Sequence, residues 1–370
     1  MFKKLRIAYF MHVDWNWAKQ RPHFIFEGLS EVYDVDLYCV KSFGKHSLTS
    51  ANKQKDRLRK NYFSINKIPL SGKSKALKWL ERLSNSKLSK GMLDRYDIIW
   101  ITSPVMLHFI PNHWLSGRTV IYDCMDDYLS FNRNKSKLKK HQSYEEELIK
   151  ASILVFASSR TLKDRMLKRY STYFNNVNIE VIQNGITEKW LDYNFEHFKR
   201  NMSSKSYNIV YSGTIGDWID FDSLVYLLES QAEISIQLIG PIDTKIVKHP
   251  RLNYIGPVSH EELPNYLINA DAFIMPFQLT DLVLTVDPVK MYEYISFSKP
   301  VFSIYYQETK KFAPFVKLYS TKEELLSYVT ETMWQNHDKE DIDIETRREF
   351  LKNNTWAERL KCVITKIEEL

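Results

Sequence analysis

At 370 residues the chain is too long for one compact core, and two domains with separate cores are the expectation. Its 44% apolar and 26% charged residues exclude disorder as the default; three scattered cysteines, Cys39, Cys124 and Cys362, exclude a disulfide framework and point to a reducing compartment. The net charge of +7 is unevenly placed: residues 51–90 hold nine Lys and three Arg against Asp56 and Glu81, a local +10, while the remainder is slightly acidic at −3.

The amino-terminal MFKKLRIAYFM sets basic residues before an apolar run, but that run is short and lacks a small-residue cleavage site, so it reads as a first strand, Leu5 to Met11. The loop HVDWNWAKQRP leads into a helix beginning near Arg21 and Pro22, and Val35 to Val40 is a second strand. In the basic region Leu77, Trp79, Leu80 and Leu83 recur at helical spacing, as in an amphipathic surface helix. Solubility, an anionic membrane surface or nucleic acid would each suit residues 51–90; no nucleic-acid motif accompanies them, and membrane contact is the functional expectation. The uncharged run Ile98 to Gly117 is broken by Pro104, Pro111 and Asn112 and does not suit a spanning helix.

Asp97 to Ile101, Thr119 to Tyr122, Ile153 to Phe156 and Ile179 to Ile182 read as further strands, with helical patterns at Lys137 to Lys150 and Arg160 to Arg169. Asp192 to Ser206 is polar and aperiodic, and is expected to link the domains. Strands starting at Tyr207, Ile234, Leu252, Ala272 and Val301 then alternate with helices near Phe221, from Glu261 to Asn269, and at Pro288; Trp356, Leu360, Val363, Ile364 and Ile367 mark a packed final helix. Strands alternating with helices predict an α/β fold with parallel sheets covered on both faces, in domains 1–198 and 205–352.

Ligands of open parallel sheets bind beyond the carboxyl ends of the strands. In the first half that edge carries His12 and Asp14, then Asp123, Asp126 and Asp127; such a carboxylate can serve as general base toward a hydroxyl, or merely cap a turn. No histidine or third carboxylate stands at useful spacing from Asp126 and Asp127, so no metal is expected. Trp15, Trp17, Lys19, Gln20 and Arg21 crowd one loop, where rings would stack on a sugar or lipid head and Arg21 would meet a phosphate; a hydrophobic staple for the following helix is the alternative.

In the second half Gly213-Thr214 and Gly256-Pro257-Val258 end strands, and Gly213 permits close backbone approach to a phosphate or simply makes a turn. The stretch Ala270 to Val301 is the most informative. Its apolar run stops at Pro276, the loop Phe277 to Asp287 follows, Pro288 opens a helix, and Lys290 and Glu293 lie one turn apart near its amino end, where free N–H groups favour an anion. A diphosphate flanked by a ribose would use these features; a solvated surface pair is the plain alternative.

In chain order, WNWAKQRPHFIFEGL, YDCMDDYLSF, VIQNGIT, YSGTIGDWIDFDSL, LIGPI, YIGPVSHEELPNYLINADAFIMPF and DPVKMYEYISFSKPV resemble the GT-B glycosyltransferases, specifically bacterial enzymes of capsule, exopolysaccharide and teichuronic acid assembly. The resemblance implies two Rossmann-like domains facing a central cleft, with the final helix, within 353–370, crossing back to the first. It implies a nucleotide-sugar donor in the second domain: Gly256, Pro257 and Val258 on the base, Glu293 on the ribose with Tyr292 beside it, and Lys290 with Gly213 and Thr214 on the diphosphate. No metal and no cofactor would be needed, because protein dipoles and Lys stabilise the leaving group. Asp14, Trp15, Trp17, Gln20 and Arg21 would meet the acceptor, and Asp126, then Asp127, then His12 are the candidate bases.

Retaining members carry a carboxylate eight residues before the position of Glu293, where Thr285 stands here. That departure turns the expectation toward an inverting, glucuronosyltransferase-like subgroup with a Pro-x-Lys-x-x-Glu pattern. The expected protein is a cytoplasmic transferase, peripheral at the membrane, that moves a sugar from a nucleotide donor to a lipid-linked glycan. A non-hydrolysing nucleotide-sugar epimerase of the same architecture and a non-catalytic carbohydrate-binding protein are the rivals. A Rossmann dehydrogenase is disfavoured, because no Gly-x-Gly-x-x-Gly follows the first strand.

Overall fold

The computed structural model describes residues 4–16, 19–41, 61–72, 74–131, 135–173, 177–191, 206–259, 261–334 and 344–370. The chain divides into two compact units, Met1–Gln183 with Leu360–Leu370, and Asn184–Arg359. The first change-over lies at the Asn184-Gly185 turn; the expected linker at 192–206 falls, except for Ser206, outside the described residues.

In the first unit β1 (Arg6–Met11), β2 (Asp34–Lys41), β3 (Tyr62–Asn66), β4 (Ile98–Ile101), β5 (Thr119–Cys124), β6 (Leu154–Ala157) and β7 (Asn178–Val181) form a parallel sheet in the order β3-β2-β1-β4-β5-β6-β7. Every residue of β4, IIWI, and of β6, LVFA, is buried, the pattern of strands covered on both faces. The described helices are α1 (Arg21–Val32), α2 (Lys75–Ser84), α3 (Lys135–Ala151) and α4 (Arg160–Arg169). Strand order reverses between β1 and β4, so the loops after these two strands flank the switch point at which such sheets take ligands.

The second unit repeats this plan. Strands β8 (Tyr207–Ser212), β9 (Ile234–Ile239), β10 (Leu252–Gly256), β11 (Ala272–Met275), β12 (Val301–Ile304) and β13 (Lys317–Tyr319) pair in parallel in the order β10-β9-β8-β11-β12-β13. Helices α5 (Phe221–Ser230), α6 (Leu263–Leu267), α7 (Val289–Ile295), α8 (Lys322–Trp334) and α9 (Ile344–Lys352) accompany them. The last helix, α10 (Trp356–Glu368), begins in the second unit and ends in the first, where a side chain at Gly28 of α1 would collide with Leu360.

Two edge strands, β3 and β13, escape the sequence reading because YFSIN and KLY are short and weakly patterned. Helix α6 is shorter than expected: the buried Lys299 ammonium donates to the carbonyls of Leu267, Ile268 and Ala270 at 3.2, 2.6 and 2.6 Å and closes the helix there. Among the described residues no helix is long and apolar enough to cross a membrane.

Candidate active site

Three neighbouring strands of the second unit, β8, β9 and β10, each end in a glycine. Gly213 N–H donates to Ile239 O at 2.9 Å and Gly240 N–H to Gly256 O at 2.8 Å, lacing the strand ends together. Gly240 has φ +148°, and a Cβ there would strike the Gly213 carbonyl, so only glycine lets these turns meet. The Tyr211 hydroxyl donates to Thr214 O at 3.0 Å and holds the Gly213-Thr214 turn. Gly256, at φ +83°, has open space where a side chain would stand; Pro257 is exposed and Val258 half-buried against the core.

Pro288 is the N-cap of α7 rather than its first residue, with ψ 102° outside the helical range. Just before it, the fully buried Asp287 carboxylate accepts from Lys311 Nζ at 2.5 Å and from Asn184 N–H at 2.7 Å, while its carbonyl takes Asn184 Nδ2 at 2.8 Å. Lys311 donates again to the Tyr292 hydroxyl at 2.7 Å. Tyr292, expected beside the donor, is instead fully buried, edge-on to Phe312 at 4.9 Å, because its hydroxyl is the partner of Lys311; it braces α7 from within the core. Lys290 Nζ lies 2.7 Å from Glu293 Oε2, with Glu293 buried and Lys290 half-buried. Thr285 is buried and its hydroxyl donates to Leu282 O at 2.8 Å.

In the first unit, His12 follows β1 and Thr102 follows β4. Thr102 Oγ1 accepts His12 N–H at 3.2 Å and lies 2.8 Å from His12 Nδ1. Burial, with His23 nearby, pushes the His12 imidazole down to about 4, so it is neutral near pH 7. Arg21 sits inside the fold: Nε and Nη2 hold Asp123 Oδ1 at 2.9 and 2.8 Å, and Nη1 donates to Ile182 O at 2.5 Å. The expectation of Arg21 on a phosphate thus meets a buried guanidinium already committed to Asp123.

Asp126 and Asp127, adjacent in sequence, differ sharply. Asp127 is buried and accepts from Arg165 at 2.8 Å, Arg169 at 3.0 Å and Ser130 at 2.8 Å. Burial would raise its carboxyl, but the bonds from Arg169 and Arg165 outweigh that and hold it below the usual carboxylate range, which corrects its standing as a base. Asp126 is half-buried, and among the described residues nothing bonds its carboxylate. Burial pushes it up to about 7 against the pull of Arg21, with Asp127 adding to the rise.

The loop before α1 is used locally. Asp14 accepts from Asn16 N–H at 3.0 Å; Trp15 packs against His23 and Phe26 at 5.1 and 5.5 Å between ring centroids; Gln20 is the N-cap of α1, its N–H on His23 Nδ1 at 3.2 Å. Trp15 therefore takes the staple role, and Trp17 lies outside the described residues. Thr102 and Ser103 were missed in the sequence, where their only signal is the end of the run IIWI; the Ser103 hydroxyl is buried without a protein partner, as are His23 Nε2 and Asp123 Oδ2. Among the described residues no three His, Cys, Asp or Glu side chains are grouped to hold a metal.

Helix α2 is the outward part of the basic region. Trp79, Leu80 and Leu83 are 60, 45 and 51% exposed, among exposed Lys75, Lys78 and Arg82. One buried carboxylate pins it: Glu81 accepts Ile68 N–H at 2.8 Å and meets His108 Nε2 at 2.6 Å.

No family model matches this chain. It is 22% identical over 267 residues to TuaH of Bacillus subtilis (strain 168), named as a glycosyltransferase of teichuronic acid biosynthesis, covering 67% of this chain and 65% of that one. The chain thus spans just under two thirds of that relative's length. HepE of Anabaena, solved with UDP and glucose, matches 99% of this chain and 100% of its own at TM-score 0.69 and 11% identity. The sucrose-phosphate synthase of Thermosynechococcus elongatus matches 99% of each chain at TM-score 0.68 and 12% identity. The lipopolysaccharide outer core galactosyltransferase WaaB matches 98% of this chain and 99% of its own at TM-score 0.63 and 12% identity. With two parallel sheets of reversed strand order and a final helix returning to the first unit, the chain has the GT-B fold.

Proposed function

We propose that the chain is a glycosyltransferase that moves a sugar from a nucleoside-diphosphate donor to a hydroxyl of a lipid-linked or polysaccharide acceptor in cell-surface glycan assembly. The reading is carried by Lys290 and Glu293, a cation and a buried carboxylate one turn apart at the start of α7, in a fold that HepE uses with UDP and glucose. A ribose diol offers donors to Glu293 and a diphosphate offers acceptors to Lys290, so the donor would replace one ion pair by two charge-matched contacts. Lys290 would then offset the charge growing on the leaving diphosphate without a metal.

Asp126 supplies the base in this reading, because a carboxyl titrating near 7 is available at neutral pH and still basic enough to take a hydroxyl proton. The acceptor oxygen bonds the anomeric carbon as the bond to the diphosphate oxygen breaks, and the hydroxyl proton goes to Asp126. The apolar and basic residues exposed on α2 would rest on an anionic cytoplasmic leaflet, where a lipid-linked acceptor is found.

Calorimetric screening of UDP, GDP, TDP and CMP tests the reading. Transfer requires a nucleoside diphosphate that binds and turnover that survives EDTA. An isomeric sugar nucleotide formed without acceptor would indicate an epimerase instead, and no nucleotide binding would leave a carbohydrate-binding scaffold.

A further inference from the structure

We propose that Thr102 is a positioning residue that holds His12 in its Nδ1–H form, so that Nε2 turns a lone pair, not a proton, toward a hydroxyl of the incoming acceptor. The acceptor's identity rests on the transfer reading above; the tautomer does not.

The assignment follows from counting protons. Three contacts converge on Thr102 Oγ1: His12 N–H at 3.2 Å, His12 Nδ1 at 2.8 Å and Phe10 O at 3.1 Å. The backbone N–H can only donate and the carbonyl can only accept, so the single hydroxyl proton goes to Phe10 O. Nδ1 must then bring its own proton. The other tautomer would send the hydroxyl proton to Nδ1 and leave Oγ1 and Phe10 O facing each other at 3.1 Å with no proton between them.

Thr102 is buried, its backbone N–H also donates to Phe10 O, and it follows β4 where His12 follows β1, so the pair bridges the switch point of the sheet. Among the described residues Nε2 of His12 has no partner. The ring is neutral near pH 7, as its burial requires. A neutral ring that donates nothing through Nε2 gives an anion no purchase but accepts from a hydroxyl. It thereby complements Asp126: the imidazole orients the acceptor, and the more basic carboxylate takes the proton.

The test is long-range proton–nitrogen correlation on the full chain labelled with nitrogen-15 histidine, at pH 7.5. The expected wild-type spectrum has a protonated, pyrrole-type Nδ1 and an unprotonated Nε2 at His12. Thr102→Ser should keep that pattern, whereas Thr102→Val should lose it and populate the Nε2–H form. A protonated Nε2 in the wild type, or a pattern unmoved in Thr102→Val, overturns the assignment. UDP release from UDP-glucose, with water as acceptor, should fall about tenfold in Thr102→Val and recover in Thr102→Ser, with the Kd for UDP unchanged. Equal rates in all three would remove the positioning role. If the wild type released no UDP, the transfer reading would suffer while the spectrum still judged the tautomer.

Discussion

Lys290 Nζ stands 2.7 Å from Glu293 Oε2, and the carboxylate is 5% exposed against 27% for the ammonium, so a buried anion is held by a cation that solvent can reach. Lys290→Ala should therefore weaken UDP binding about 10- to 100-fold, since both the phosphate partner and the charge balancing Glu293 are lost. Titration calorimetry measures this, and an unaltered Kd would refute the phosphate role.

Asp126→Asn should abolish sugar transfer yet leave UDP affinity nearly intact. In the wild type kcat should rise with pH through about 7, as the carboxyl loses its proton. The linkage has the opposite sign for stability. The folded chain holds this proton more tightly than the unfolded chain, so wild-type stability falls, relative to Asp126→Asn, as pH climbs from about 3.8 to about 7. Denaturant melts of both proteins across that window check the sign.

Asp127→Asn should act on the fold first. Removing a buried carboxylate from between Arg165 and Arg169 should cost about 3 kcal/mol or more near neutral pH. Its folded-state carboxyl lies below 3.8, so the difference from wild type should be fully present above that value and shrink as pH falls below it. A variant as stable as wild type at pH 7 would contradict the ion-pair account.

Replacing Trp79, Leu80 and Leu83 together by Glu should release the chain from phosphatidylglycerol vesicles in a sedimentation assay. These side chains are already exposed, so thermal stability and UDP affinity should hardly move. Retained vesicle binding at low salt would remove α2 as the contact.

Much of the plan was legible locally. The runs IIWI, LVFA, AFIM and VFSI could only be strands buried on both faces, and their alternation with helices led to two Rossmann-like sheets. Lys290 and Glu293 were legible for the same reason, since a separation of three residues on a helix brings them together whatever surrounds it. The edge strands were not, because a short strand with one neighbour carries little pattern of its own.

Charge compensation was beyond the sequence's reach. Arg21 and Asp123 are 102 residues apart, and Asn184 and Asp287 are 103 apart. Asp126 and Asp127 are equivalent as letters, and only α4, bringing Arg165 and Arg169 to one of them, made that one an ion-pair anchor and left the other a base. Periodicity and turn chemistry act between neighbours along the chain and therefore decided the elements. The protonation and partners of a side chain depend on whatever the fold delivers from far along the chain, and only the tertiary structure decided those.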